Sequence, residues 1–199
     1  MPAIASSARN DDRMILPASG YRAMAWKNGQ GVTREIAREP ASGDSFLWRL
    51  SIAEVAADGA FSLFPGVDRT ITLIQGAGME LDFAEAPAKR IDRPFMPFDF
   101  SGDWHCRCRL IDGPIRDFNL MVDRSTMRAE TRVLRLAGTP VEANVTEGRL
   151  LVYCGEGRLS AGGFTAEAGD TLSLGPGRHA IAGPGALGLV IRLHMRRGR

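Results

Sequence analysis

Four segments concentrate the side chains able to do chemistry. The first is Trp26-Lys27-Asn28-Gly29-Gln30-Gly31-Val32-Thr33-Arg34-Glu35-Ile36-Ala37. Asn-Gly and the next Gly set a tight turn. The alternation that follows puts Thr33 and Glu35 on one face of a strand, and Val32, Arg34 and Ile36 on the other. In the second segment, 46–53 (FLWRLSIA), Leu47, Arg49, Ser51 and Ala53 share a face. Phe46, Trp48, Leu50 and Ile52 form the opposite, packing face. If these strands pair, Glu35 meets Arg49 across the ladder with Thr33 and Ser51 nearby. Two readings stand: a solvent-exposed face with a salt bridge worth under about 1 kcal/mol, or a polar patch lining the mouth of a barrel. The third segment, 61–69 (FSLFPGVDR), is an aromatic-rich turn that ends on Arg69 before a strand. The fourth, 112–121 (DGPIRDFNLM), is a turn running into a strand on which Asp117, Asn119 and Met121 face away from Phe118 and Leu120. Asp117 and Asn119 read either as turn caps, the usual role near Gly-Pro, or as ligand-facing groups.

Metal chemistry is not expected. His105, His179 and His194 are the three histidines, each isolated and none in a His-x-His pair. A zinc or iron site needs three or four ligands at workable spacing. Cys106-x-Cys108 with His105 is the one tempting cluster. On a strand the two thiols share a face while His105 points to the other, so a buried, inert thiol pair is the favoured reading. No cofactor is expected. There is no Ser-His-Asp order and no phosphate-binding loop.

The elements that must position these groups are strands. Among 199 residues, 23 Gly and 11 Pro exceed the usual combined share of about 12% and leave little room for long helices. Strand-like runs fall at 46–53, 70–75, 107–111, 118–122, 131–136, 150–154, 171–174 and 187–193, separated by Gly, Pro, Asn and Asp turns. That pattern predicts an all-β sandwich or barrel. Residues 123–130 could form a short helix or simply link two halves. ITLIQGAG at 71–78 echoes LLVYCGEG at 150–157, and a Gly-Asp turn precedes a later strand in each half (Gly102-Asp103, Gly169-Asp170). The echoes suggest two tandem copies of one β-barrel unit.

Composition narrows the partners. Hydrophobic residues make up 44% and charged residues 24%, enough for a packed core. The net charge of +2 offers no field for nucleic acid, and HMRRGR at 194–199 reads as a solvated tail. No run of 18 apolar residues predicts a membrane span, and the opening residues lack a secretory apolar stretch. Three cysteines do not make a disulfide framework, so a cytoplasmic setting is expected. Edge strands leave a homodimer open.

WKNGQGVTREIA, WRLSIA, F-S-x-FPGVDR and DGPIRDFNLM, in this order, resemble the HutD/Ves family closely over 14–136 and more loosely beyond. The resemblance implies a bicupin: a leader over 1–13, a cupin-like half over 14–125 and a second over 126–195. It also implies a role in histidine catabolism, by sensing or buffering an intermediate such as N-formylglutamate, or a stress-associated role in the Ves branch. Carrying the motifs over residue by residue makes Arg49 and Arg69 the candidates to hold a small carboxylate, whose shape a guanidinium matches bidentately. Asn28, Thr33, Ser51 and Asn119 would complete the hydrogen bonding, Glu35 or Asp117 would orient the arginines, and Trp26 and Phe64 would wall the pocket. Two alternatives are carried. One is a metal-free isomerase or hydrolase using Glu35 or Asp117 as base. The other is an interaction protein without a ligand.

Overall fold

The computed structural model describes residues 13–26, 29, 31–40, 42–43 and 45–196. The expected leader therefore lies outside the described residues, except that the backbone of Arg13 begins a strand. In chain order the first strands are β1 (Arg13–Leu16), β2 (Arg22–Ala25), β3 (Gly31–Glu39), β4 (Trp48–Val55), β5 (Gly59–Ala60) and β6 (Val67–Gln75). They continue with β7 (Met79–Phe83), β8 (Lys89–Ile91), β9 (Phe98–Ser101), β10 (Cys106–Leu110) and β11 (Ile115–Asp123). The remainder are β12 (Met127–Arg135), β13 (Val141–Val145), β14 (Arg149–Glu156), β15 (Arg158–Ala161), β16 (Phe164–Glu167), β17 (Thr171–Leu174), β18 (Gly177–Ile181) and β19 (Leu187–Met195). One 3-10 turn, Ala18–Gly20, is the only helical element among the described residues.

The all-β expectation agrees with this architecture. A six-stranded sheet runs β2-β3-β4-β11-β6-β9, a four-stranded sheet β5-β10-β7-β8, and a five-stranded sheet β1-β17-β14-β19-β12. Two-stranded ladders β13-β18 and β15-β16 complete the set, and none of the sheets closes on itself. The short helix considered for 123–130 is not formed. Asp123 instead caps a turn by accepting from the Ser125 N–H at 2.8 Å, and Met127 already pairs with Met195 in β12-β19.

Strand alternation decides which groups meet. On β4 and β11, Trp48, Leu50, Ile52, Phe118, Leu120 and Val122 pack against Leu151, Tyr153, Leu189, Ile191 and Leu193 of the five-stranded sheet. This apolar layer joins the two large sheets. The opposite face of the six-stranded sheet looks toward the four-stranded one. There Ala53, Val55, Ile71, Leu73 and Ile115 bury against Met79, Leu81, Cys106 and Cys108. A third core, including Leu150, Val152, Leu172 and Ile181, fills the C-terminal part. β1 is paired with β17 rather than with the strands that follow it. Ala18 N–H donates to Asp170 Oδ1 at 2.8 Å, and the buried Tyr21 hydroxyl lies 2.7 Å from Gly169 O and 2.9 Å from Thr171 Oγ1.

Candidate functional site

The inner face of the six-stranded sheet changes character along its strands. At one end it is the apolar core around Leu73 and Ile115. At the other the register brings polar residues into rows. Met121 is flanked by Arg49 and Arg69. In the next row Glu35, Ser51, Asn119 and Ile71 stand side by side, and in the next Thr33, Ala53, Asp117 and Leu73. Arg49 and Arg69 thus sit two strands apart on one face, about 10 Å at the usual strand spacing. A cavity of about 560 Å³ opens here, a size suited to a small organic ligand.

Arg49, Arg69, Thr33, Ser51, Asp117, Asn119, Trp26 and Phe64, all singled out in the sequence, line this cavity. Glu35 stands behind it and accepts from Arg49 Nε at 2.7 Å. Both partners are largely shielded, with side chains 16% and 11% exposed. Asn28 lies outside the described residues. Phe61, Ser62 and Met121 also line the cavity. Phe61 and Met121 belong to the segments singled out but carry no polar signal. Ser62 contributes its backbone carbonyl, which no side-chain pattern announces.

Arg69 is the unusual group. It is 6% exposed and sits among the rings of Phe61, Phe64 and Phe100, with its guanidinium carbon 4.7 Å from the centre of Phe100. Such a cage favours a cation, but its hydrogen bonding is thin. Nη2 reaches Asn119 Oδ1 at 3.3 Å and Nη1 reaches Ser62 O at 3.4 Å, while Nε has no partner among the described residues. Burial lowers its pKa to about 10, against the opposing pull of Asp117.

Asp117 is its counter-charge. It is 1% exposed. Oδ1 accepts a short hydrogen bond from Asn119 Nδ2, whereas Oδ2 is buried and unpartnered among the described residues. Burial raises the carboxyl to about 7, even though Arg69 and the Asn119 bond favour the charged form. Asn119 therefore presents its carbonyl to Arg69 and its amide to Asp117. Buried polar atoms left without partners are uncommon, and two of them here belong to one guanidinium–carboxylate pair.

The walls are fixed locally. Trp26 Nε1 donates to Thr33 Oγ1 at 2.8 Å. A Cβ on Gly31 would fall 3.0 Å from the Trp26 ring and 2.5 Å from Glu54 O, so this close approach requires glycine. The loop carrying Phe61, Ser62 and Phe64 is pinned by Phe64 N–H to Gly102 O at 2.8 Å and by Gly66 N–H to Asp103 Oδ1 at 2.8 Å. That amide, with Arg124 and Ser101, holds the Asp103 carboxyl down at about 2.

Metal ligands are not grouped here: among the described residues no three His, Cys, Asp or Glu side chains are placed to share an ion. Cys106 and Cys108 are buried, and burial pushes their thiols up to about 11 and about 12. The exposed His105 pairs with Glu85 at 2.7 Å. No helix among the described residues is long and apolar enough to cross a membrane.

Comparison with known proteins gives a consistent picture. A family model described as HutD matches residues 18–187. An uncharacterized 21.2 kDa protein in the hutC 3' region of Pseudomonas putida is 46% identical over 119 residues, covering 58% of this chain and 60% of that protein. Protein Ves of Citrobacter koseri is 42% identical over 109 residues, covering 54% and 56%. The chain thus spans less than two thirds of each of these curated relatives. The structure of HutD from Pseudomonas fluorescens SBW25 (formate condition) superposes with a TM-score of 0.83 at 35% identity, covering 93% of this chain and 100% of that one. A cupin 2 conserved barrel domain protein from Leptotrichia buccalis shares the fold alone, at 12% identity and a TM-score of 0.55 over 87% and 92% of the two chains.

Proposed function

We propose that this chain, which belongs to the HutD family, binds a small organic carboxylate in the cavity between Arg49 and Arg69, and through it senses or modulates histidine utilisation. The observation that carries the reading is Arg69. A guanidinium buried at 6% exposure, with Nε unpartnered and one carboxylate relayed through Asn119, is a cation short of acceptors on the wall of an open cavity. Charge-assisted bonds from a guanidinium to a carboxylate are among the stronger polar contacts a protein makes. Arg49, held by Glu35, supplies a second fork in the same row of the sheet. Two forks on one face suit a ligand with two acidic ends, and N-formylglutamate or a related carboxylate is the candidate.

The finer fold belongs to this reading: two tandem cupin-like halves, a bicupin, with the working cavity in the N-terminal one and a boundary near residues 125–126. So do cytoplasmic residence, in keeping with three free, buried cysteines, and a homodimer through the outer strand β12, where Val133 is 40% exposed.

Titration calorimetry with N-formylglutamate and urocanate at about 1 mM tests the reading. Heat of binding and a raised thermal midpoint are expected with at least one. Silence in both measurements with both compounds would sink it.

One observation favours a second reading. A carboxyl raised to about 7 in a cavity wall suits a general base at neutral pH, as a metal-free isomerase or hydrolase of a histidine-pathway intermediate would require. Turnover lost in Asp117→Asn, with the fold intact, would favour this enzyme over the binder.

A further inference from the structure

Arg69 has one counter-charge, and it is an incomplete one. Asp117 is reached through the Asn119 amide: Asn119 Oδ1 accepts from Arg69 Nη2 at 3.3 Å, and Asn119 Nδ2 donates to Asp117 Oδ1. Arg69 Nε and Asp117 Oδ2 are both buried without partners among the described residues. The other charged and titratable groups facing this pair are few. Arg49 on β4 lines the cavity and is already paired with Glu35 on β3. Across the interior, Cys106 and Cys108 on β10 interact with Arg69 and Asp117 respectively, and burial keeps both protonated far above neutral pH. Asp58 lies near Cys108 and accepts from the Leu110 N–H. Asp117 is therefore the group in this cluster with a proton to exchange near neutrality.

A ligand carboxylate in the cavity becomes the better counter-charge for Arg69. It also brings a second negative charge beside Asp117. Two carboxylates sharing one guanidinium, one of them buried at 1% exposure, do not both stay ionised. We infer that, on the reading of the cavity as a carboxylate site, the ligand enters together with a proton from solvent that is taken up by Asp117, so that the site gains one negative charge fewer than the ligand carries. No covalent bond changes; the proton converts Asp117 from carboxylate to carboxylic acid while Arg69 changes its counter-ion. Burial, which already raises Asp117 to about 7, works in the same direction.

The consequence is a signed pH dependence. The ligand prefers the site with Asp117 protonated, so affinity is greatest at low pH and falls as pH rises and Asp117 ionises. With N-formylglutamate as the probe, Kd rises about 10- to 100-fold between about pH 6 and about pH 9. Calorimetry near pH 7.5 in buffers of low and high ionisation enthalpy should give different observed heats, corresponding to between about 0.5 and 1 proton taken up per ligand. Asp117→Asn should remove the uptake and flatten the pH profile. Binding with the same heat in every buffer and a Kd flat in pH would overturn proton coupling while leaving the carboxylate site standing. Uptake persisting in Asp117→Asn would also overturn it, by assigning the proton elsewhere. Absence of binding at every pH would remove the carboxylate reading itself, and this inference with it. If the variant does not fold, the proton count of the unaltered protein decides alone.

Discussion

Arg49 donates to Glu35 across a register fault. The two side chains are not opposite each other: Glu35 is aligned with Ser51, and Arg49 with Arg38. A bulge between Glu35 and Ala37 turns Ile36 toward the inter-sheet core and lets Glu35 reach back to Arg49 Nε at 2.7 Å. A bulge of this kind re-aims one side chain without ending the strand. Arg49 itself stays on the wall of the cavity.

Glu35→Gln should lower stability by about 1–2 kcal/mol, because the pair is shielded from water and its loss leaves Arg49 short of a counter-charge. Arg49→Ala should cost a similar amount. The double variant should cost less than the two combined, since both remove one interaction. Urea denaturation of the four proteins checks this. Strict additivity would mean the pair contributes nothing.

Arg69→Met should destabilise by up to about 3 kcal/mol at about pH 9, where it strips an ionised, buried carboxylate of its positive neighbour, and by less near pH 7, where Asp117 takes up a proton instead. It should also weaken N-formylglutamate binding by at least about tenfold. Arg69→Lys keeps the charge and the contact with the aromatic cage, so its stability cost should be smaller while the loss of affinity persists. Denaturation and calorimetry on both variants separate the roles of charge and fork geometry.

Asp117 makes stability depend on pH in a definite direction. Its carboxyl is raised from 3.8 to about 7 on folding, so between these values the folded chain holds a proton the unfolded chain has released. The contribution of Asp117 to stability is then greatest below about pH 4, declines through the interval, and bears the full cost of ionisation above about pH 7. The span corresponds to about 4 kcal/mol at most, by 1.36 kcal/mol per pH unit. Asp117→Asn should accordingly raise the thermal midpoint more at pH 8 than at pH 5. An equal effect at both would contradict the assignment.

Gly155→Ala should destabilise the junction between the two large sheets. A Cβ there would lie 2.3 Å from Phe95 Cζ, and Phe95 is buried at φ 58 in the core that joins the two large sheets. Overpacking of this kind costs about 1–3 kcal/mol. Gly113→Ala meets nothing within 4 Å but must adopt φ +67, and should cost only about 1 kcal/mol. A thermal-shift comparison of the two is sufficient.

Much of this site is written in strand alternation. The period of two that buries Leu50 and Ile52 also turns Arg49 and Ser51 to the other side, and the same holds for Phe118 and Leu120 against Asp117 and Asn119. What alternation does not contain is the order of strands. β11 inserts between β4 and β6, and that insertion alone sets Arg49, Met121 and Arg69 in one row. The Ile36 bulge is equally silent, because nothing in its residue type distinguishes a bulged position from a regular one. The turn and strand after Asp123 escaped as a candidate helix for a related reason: Arg124, Met127, Arg128 and Ala129 are good helix formers, and pairing with β19 overrode that preference. The isolation of Asp117 Oδ2 follows from burial and has no counterpart in the sequence.

The clasp formed by β1 sets an order of assembly. Tyr21 meets Thr171, and Met14 pairs with Ser173, so this segment waits for a partner about 150 residues further along the chain. Closing so long a loop is entropically slow, and until it closes the outer strand β17 has an unoccupied edge. A chain made only as far as β16 thus carries an unfinished seam, which closes once β17 is made and β1 docks along it.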